Sequence, residues 1–244
     1  MHAALGHSLV LLSLTLAAAG SMLGFWGGFR QSRRAMAWTR ACAYGFSAAM
    51  ILANLVMARA LLVHDFSVSY VAQVGSLKAP TWVTLVSLWS SLEGSILFWG
   101  AILGGYLSVF TYQMTDRYRE YVPYATGVLL AIAAFFAFLI AAPANPFALV
   151  DPIPIDGPGP NPLLQNHILM VVHPPLLYMG YVGMSVPFAI AVAALLRGQL
   201  SAGWLKPLRR WTMFPWTFLT LGIIVGGWWA YEVLGWGGYW AWDP

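Results

Sequence analysis

Charge is what this chain has least of. Only 8% of its 244 residues are Asp, Glu, Lys or Arg, 60% are hydrophobic, and the mean hydropathy is +0.71. Soluble domains carry roughly a quarter charged residues, so a water-soluble enzyme or a nucleic-acid-binding module is excluded. Cysteine is nearly missing as well. Cys42 stands alone, which rules out an internal disulfide and any CxxC metal or redox motif and leaves it as a small packing residue. No Ser/His/Asp array, phosphate-binding loop or pair of acids at catalytic spacing can be read, and hydrolysis and nucleotide chemistry go with them. No basic stretch precedes the first apolar run, which opens Met1-His2-Ala3 and reads as a first span, not a cleaved signal peptide. Neither a repeat nor a low-complexity linker divides residues 1–244, which read as a single transmembrane domain.

Apolar runs long enough to cross a bilayer are what is present. Six spans are expected: Ser8 to Phe29, Ala41 to Val63, Gly94 to Gln113, Val122 to Ala142, Pro174 to Leu196 and Trp211 to Trp229. The fold class is therefore all-α, a polytopic helical bundle with extended outer loops. A segment around Trp82 and Trp89 is expected to lie along the interface before the third span. Ten of the 12 basic residues (Arg30, Arg33, Arg34, Arg40, Arg117, Arg119, Arg197, Lys206, Arg209 and Arg210) fall in three alternate loops, and only Arg59 and Lys78 lie elsewhere. The positive-inside rule assigns those three loops to the cytoplasm and both termini to the outside. The net charge of +4 is thus a topology signal and no nucleic-acid partner is implied. The outer stretch Ala144 to Gln165 is proline-rich, lacks Lys and Arg, and should run irregularly over the outer end of the bundle. The alternation in His64 to Val71 predicts a short strand or extended piece.

Aromatic residues are concentrated at one place. Five of the 13 tryptophans lie in the last 17 residues: Trp228, Trp229, Trp236, Trp240 and Trp242, followed by Asp243. A flat, glycine-spaced aromatic surface suits a large planar apolar ligand. The competing reading is an interfacial tryptophan belt. His173 precedes Pro174-Pro175, and Pro favours the first position of a helix. His173 is therefore expected at the N-cap of the fifth span, where the helix dipole disfavours an imidazolium and keeps the ring a neutral ligand. His2, His7 and His64 read as isolated, and His167 reads as a polar interface residue. Glu93 reads as a dipole-stabilising acid at the start of the third span. On this topology His173 and the tryptophan tail share the outer face. An axial nitrogen beside a stacking platform is what a haem site requires; its propionates would meet helix N-termini or Arg59 and Lys78.

The tail from Trp228-Trp229 to Trp242-Asp243-Pro244 resembles the "WWD" signature of the haem-handling proteins of cytochrome c biogenesis. The segment His173-Pro-Pro-Leu-Leu-Tyr-Met-Gly-Tyr-Val-Gly183 resembles the one bearing the first external histidine of the CcmF branch, the cytochrome c haem lyases. His64 to Val71, Trp89 to Trp99 and Asn145-Pro146-Phe147 match the same branch in the expected order.

The resemblance implies a role in cytochrome c maturation at a bacterial-type inner membrane, or an organelle's. Haem, as haem b before attachment, would arrive from a haem chaperone and be joined to the CxxCH motif of apocytochrome c, which its thiol-handling proteins keep reduced. His173 would ligate the iron, and Trp228, Trp229, Trp236, Trp240, Trp242 and Asp243 would form the platform. The chain would be a subunit or fragment of the lyase. Family members carry a second external histidine and two transmembrane histidines that have no counterpart here, so a C-terminal partner supplying them is expected. Two other readings stay open: a CcsA-type haem export or presentation protein without ligation activity, and a non-catalytic membrane scaffold.

Overall fold

Small residues decide how the first helices meet. The computed structural model describes residues 1–114, 120–161, 167–198, 202–233 and 238. Helix α1 (His2–Arg30) buries Gly6, Val10, Ser13, Ala17, Gly20, Gly24 and Gly27 along one stripe. With no Cβ at Gly24, its backbone approaches Gly127 and the Pro123 carbonyl so closely that an added methyl would sit 2.8 Å from both. Close backbone approach is the normal way for helices to associate in lipid, where hydrophobicity alone gives no drive. Gln31 ends α1 in a left-handed conformation, and Ser32 caps α2 (Arg33–Leu62) by accepting from the Ala35 amide.

Helices α1 and α2 pack against α5 (Leu92–Met114) and α6 (Val122–Ala141). Buried polar side chains between them are tied to neighbouring carbonyls. Asn54 Nδ2 donates to Leu97 O at 3.0 Å, and Ser47 Oγ donates to Gly104 O at 2.7 Å. The remaining long helices are α7 (Ile168–Gly183), which continues after a break at Met184 into α8 (Ser185–Arg197), and α9 (Leu205–Val233). Among the described residues, six helical stretches are long and apolar enough to cross a membrane, counting α7 and α8 as one. The chain is an all-α, multi-pass membrane protein. The helices outrun several expected spans: α1 begins at His2, α9 at Leu205, and the fifth span at Ile168. Apolar windows mark only the part of a helix that faces lipid, whereas backbone hydrogen bonding carries on into polar flanks.

Alternating spans give the bundle two ends. One holds the basic loops, where Arg197 pairs with Glu120 at 2.7 Å. The other holds the long connections. There the expected strand at His64 to Val71 shrinks to a single antiparallel bridge, Val68 to Leu149, and the chain turns into α3 (Ser69–Val74). Tyr70 on α3 is buried and donates to Ser87 O at 2.7 Å, fixing α3 on the segment formed by α4 (Thr81–Val86) and the 3₁₀ turn Ser87–Trp89. The described part of the proline-rich stretch, residues 144–161, docks on these connections, and residues 162–165 lie outside the described residues. Ser69 N–H donates to Ala148 O, Gly159 N–H to Gly75 O, and Asp156 accepts from the Leu77 amide at 2.9 Å. The N-terminus is tied to this end by His2 Nδ1 against Asp65 at 2.7 Å. The Asp65 carboxyl is held below the ordinary carboxylate range by the Ser67 hydroxyl and, more weakly, by His2.

Candidate functional site

His173 lies inside α7, not at its start. The helix begins at Ile168, and His167 is its N-cap, taking the Leu169 amide on Nδ1 at 3.2 Å. The N-cap expectation for His173 is therefore corrected. The apolar run Ile168 to Val172 forms helix ahead of the prolines, and Pro174 and Pro175 sit within it. Lacking N–H groups, they cannot donate to the Met170 and Val171 carbonyls, a local loss that membrane helices tolerate when neighbours compensate. His173 is carried about 7.5 Å along the helix from its first residue. The dipole argument for a neutral ring no longer applies; what the neighbouring helix fixes is the ring's orientation.

That neighbour is α9. The two helices run antiparallel, and small residues mesh along the seam. Gly183 faces Pro215, Gly180 faces the Leu219 backbone, Gly222 faces Leu177, and Gly226 faces His173. Gly222 and Gly226 form a GxxxG pair, the spacing that lets membrane helices approach closely. A Cβ at Gly226 would lie 2.3 Å from His173 Cε1, so the imidazole rests directly on the α9 backbone. Its Nδ1 is 2.8 Å from Gly222 O. A carbonyl only accepts, so Nδ1 carries the hydrogen and donates it. In the neutral ring that leaves the lone pair on Nε2, which has no hydrogen-bond partner among the described residues. Trp229 stacks on the ring with centroids 6.2 Å apart and planes at 27°. The half-buried imidazole thus has its tautomer set by one contact and its rotation set by another.

The four expected platform residues Trp236, Trp240, Trp242 and Asp243 lie outside the described residues. Trp228 and Trp229 are described, and they do different things. Trp229 covers the imidazole, and its indole N–H is buried with no acceptor among the described residues. Trp228 is exposed, and its indole N–H donates to Glu232.

Glu232 also accepts from His167 Nε2 at 2.7 Å. This bridge ties the first residue before α7 to the last turn of α9, two turns of helix beyond the His173 contact. Sequence reasoning passed over both partners: His167 read as a bland interface residue, and Glu232 was absorbed in an aromatic tail. The available signal was the GxxxG pair, which marks the face of α9 that meets α7.

A second polar group lies nearby on α7. Tyr178 donates to Ser95 Oγ at 3.0 Å and packs edge-on against Phe98 and Trp99 of α5. Glu93 is in the first turn of α5, as expected, with one carboxylate oxygen buried and unpartnered among the described residues. His2, His7 and His64 sit at the same end of the bundle, and no cluster of three or more metal-ligating side chains occurs among the described residues.

Comparison with known proteins gives this arrangement its context. A family model described as cytochrome C assembly protein matches residues 89–244. The cytochrome c-type biogenesis protein CcmF of Pseudomonas aeruginosa is 43% identical over 244 residues, covering 98% of this chain and 36% of the relative. CcmF of Escherichia coli is 39% identical, covering 98% and 37%. A solved structure of the cytochrome c heme lyase CcmF superposes with a TM-score of 0.88 at 40% identity, covering 100% of this chain and 38% of that one. The chain thus spans a little over a third of the length of the curated relatives it matches. With its His173 segment and its aromatic tail both inside residues 89–244, this chain belongs to the cytochrome C assembly protein family.

Proposed function

We propose that this chain serves cytochrome c maturation as the haem-holding part of a cytochrome c haem lyase, with His173 as an axial ligand of the incoming haem. The observation that carries the reading is the Nδ1–H···O contact from His173 to Gly222 at 2.8 Å, which presents Nε2 as a fixed lone pair. A ligating histidine commonly donates its other ring nitrogen to a carbonyl in this way, and that donation raises its basicity. Haem supplies the vinyl groups that take up the cysteine thiols of a CxxCH motif, each S–H adding across one C=C bond. What the protein contributes is position: an imidazole oriented by the Gly222 carbonyl, and an aromatic environment that excludes water.

The platform is assigned to Trp228, Trp236, Trp240, Trp242 and Asp243. Trp229, stacked on the imidazole, is assigned to buttressing the ligand. The basic end faces the cytoplasm of a bacterial-type inner membrane, and the His173 end and both termini face the periplasm. The partners are a haem chaperone and apocytochrome c. The haem is b-type until it is joined.

The test uses purified protein and its Soret absorption. His173→Gly should abolish or shift the band, and added imidazole should restore it; His167→Ala should leave the band in place. A wild-type spectrum in the His173 variant would make the imidazole structural. Absence of haem from wild-type protein under every condition would favour a scaffold. A periplasm-only reporter fused after Pro244 should be active, and a cytoplasmic readout there would overturn the assignment of faces.

A further inference from the structure

The basic end of the α5–α7–α9 face contains a cavity of about 720 Å³ that the haem reading does not use. Its wall is apolar: Ile102, Gly105 and Val109 from one side of α5, Met179 from α7, and Phe214 from α9. Its mouth is not. Lys206 and Arg210 stand one turn apart on α9 and both line it, with Gln113 opposite. Arg209 and Arg210 line a second, adjoining hollow with Lys206. These cations are exposed and make no ion pair among the described residues; the acid described at that end, Glu120, is engaged by Arg197.

The dimensions fit one leaflet. From Met114 to Ile102 the groove follows α5 for 12 residues, about 18 Å of helix, against about 15 Å for half of a bilayer's hydrocarbon core. The groove is open along its length at Gly105, where an added Cβ would meet nothing within 4 Å. An apolar slot one leaflet deep, ending in Lys and Arg that make no ion pair among the described residues, has the charge and shape of a bound anionic lipid.

We propose that this groove binds an anionic phospholipid, with an acyl chain along α5 beside Gly105 and the phosphate at Lys206 and Arg210. The inference rests on the bundle and its basic end and is independent of the haem assignment.

Native mass spectrometry of the detergent-purified full chain, titrated with phosphatidylglycerol or phosphatidylcholine, tests it. Phosphatidylglycerol should be retained and phosphatidylcholine lost. The double variant Lys206→Gln/Arg210→Gln should bind phosphatidylglycerol about thirtyfold more weakly, at roughly tenfold or less per cation. Gly105→Phe should plug the slot and lose the lipid while unfolding at the wild-type temperature. Should that variant fail to fold, Gly105→Leu and the charge variant carry the same test. Equal retention of the two lipids would overturn the proposal, as would lipid binding unchanged in Gly105→Phe or Gly105→Leu. Competition by inorganic phosphate alone would make the mouth a free-anion site and sink the acyl assignment. A dimer that Gly105→Phe dissociates would identify a second copy as the occupant and overturn it too.

Discussion

Helices α2, α5 and α6 bury half of the residues in their most apolar windows, whereas α9 buries 17%. The two regions are written in the same alphabet of Gly, Ala, Leu and aromatic residues. In the α1–α2–α5–α6 group some glycines face side chains, as Gly20 does Cys42 and Leu130, but two face backbone directly: Gly24 meets Gly127 and Pro123, and Gly104 meets the Ser47 Cα. On the α7–α9 seam Gly180 faces the Leu219 backbone, whereas Gly226 opens onto the His173 ring. The same residue type therefore admits a neighbouring backbone in one place and an imidazole ring in the other. What distinguishes them is whether the atom opposite can move.

That difference is open to direct attack. The largest effect is expected from Gly24→Leu, which drives a side chain into the α6 backbone. Overpacking against atoms that cannot yield should cost about 3 kcal/mol or more, read as a fall in thermal unfolding temperature and in the yield of folded protein. Gly105→Leu, the matched change facing open space, should leave both nearly unchanged; a comparable loss there would show that bulk, not the opposing backbone, sets the cost.

Gly226→Ala should reverse the pattern. Its methyl meets the far end of a half-buried imidazole, which can swing aside, so stability should change by about 1 kcal/mol or less. The haem Soret band should nevertheless be lost or shifted, because the Gly222 contact that orients Nε2 is broken. A variant that melts early and retains the spectrum would place Gly226 with the structural glycines.

Glu232→Gln sharpens the contrast at lower amplitude. It keeps the shape of the His167–Glu232–Trp228 bridge and removes its charge. The bridge is partly exposed, so the loss should be about 1 kcal/mol or less. Faster amide exchange in the first turn of α7 is the readout. His167→Ala should add the loss of a helix cap, about 1 kcal/mol, and the two changes should couple in a double-mutant cycle.

The smallest expected effect is a pH dependence at the long-loop end. Asp65 has a depressed folded pKa, with the Ser67 hydroxyl as the main cause and His2 as a lesser one. A carboxyl depressed in the folded state contributes stability above its unfolded pKa, near pH 4, and loses it as the pH falls through the lower folded value. Amide protection at Val68 should decline across that acidic window in the wild type. Asp65→Asn should remove the dependence, and a decline that persists in this variant would assign the titration to another group.

Much of this was legible in the chain. Low charge and six apolar runs dictate a helical membrane bundle, because every backbone group in lipid must be satisfied within its own segment. Ten basic residues in alternate loops divide the ends. His173 and the tail tryptophans stand out by residue type alone. Helix boundaries were less legible: Pro174-Pro175 looks like a helix start, yet the polar break lies at His167, and helix formation follows the apolar run between them.

The sequence by itself therefore determined the class and the spans, since these follow from composition and local periodicity, and it singled out His173 and the tail tryptophans as candidates by residue type. Only the tertiary structure decided what those residues do. That His173 donates Nδ1–H to Gly222, that Trp229 stacks on the imidazole, and that Glu232 accepts from His167 are all contacts between α9 and α7 with its N-cap. Residues some 50 or more positions apart meet there because two glycines let one helix lie against the other, and no local pattern encodes the register at which they stop.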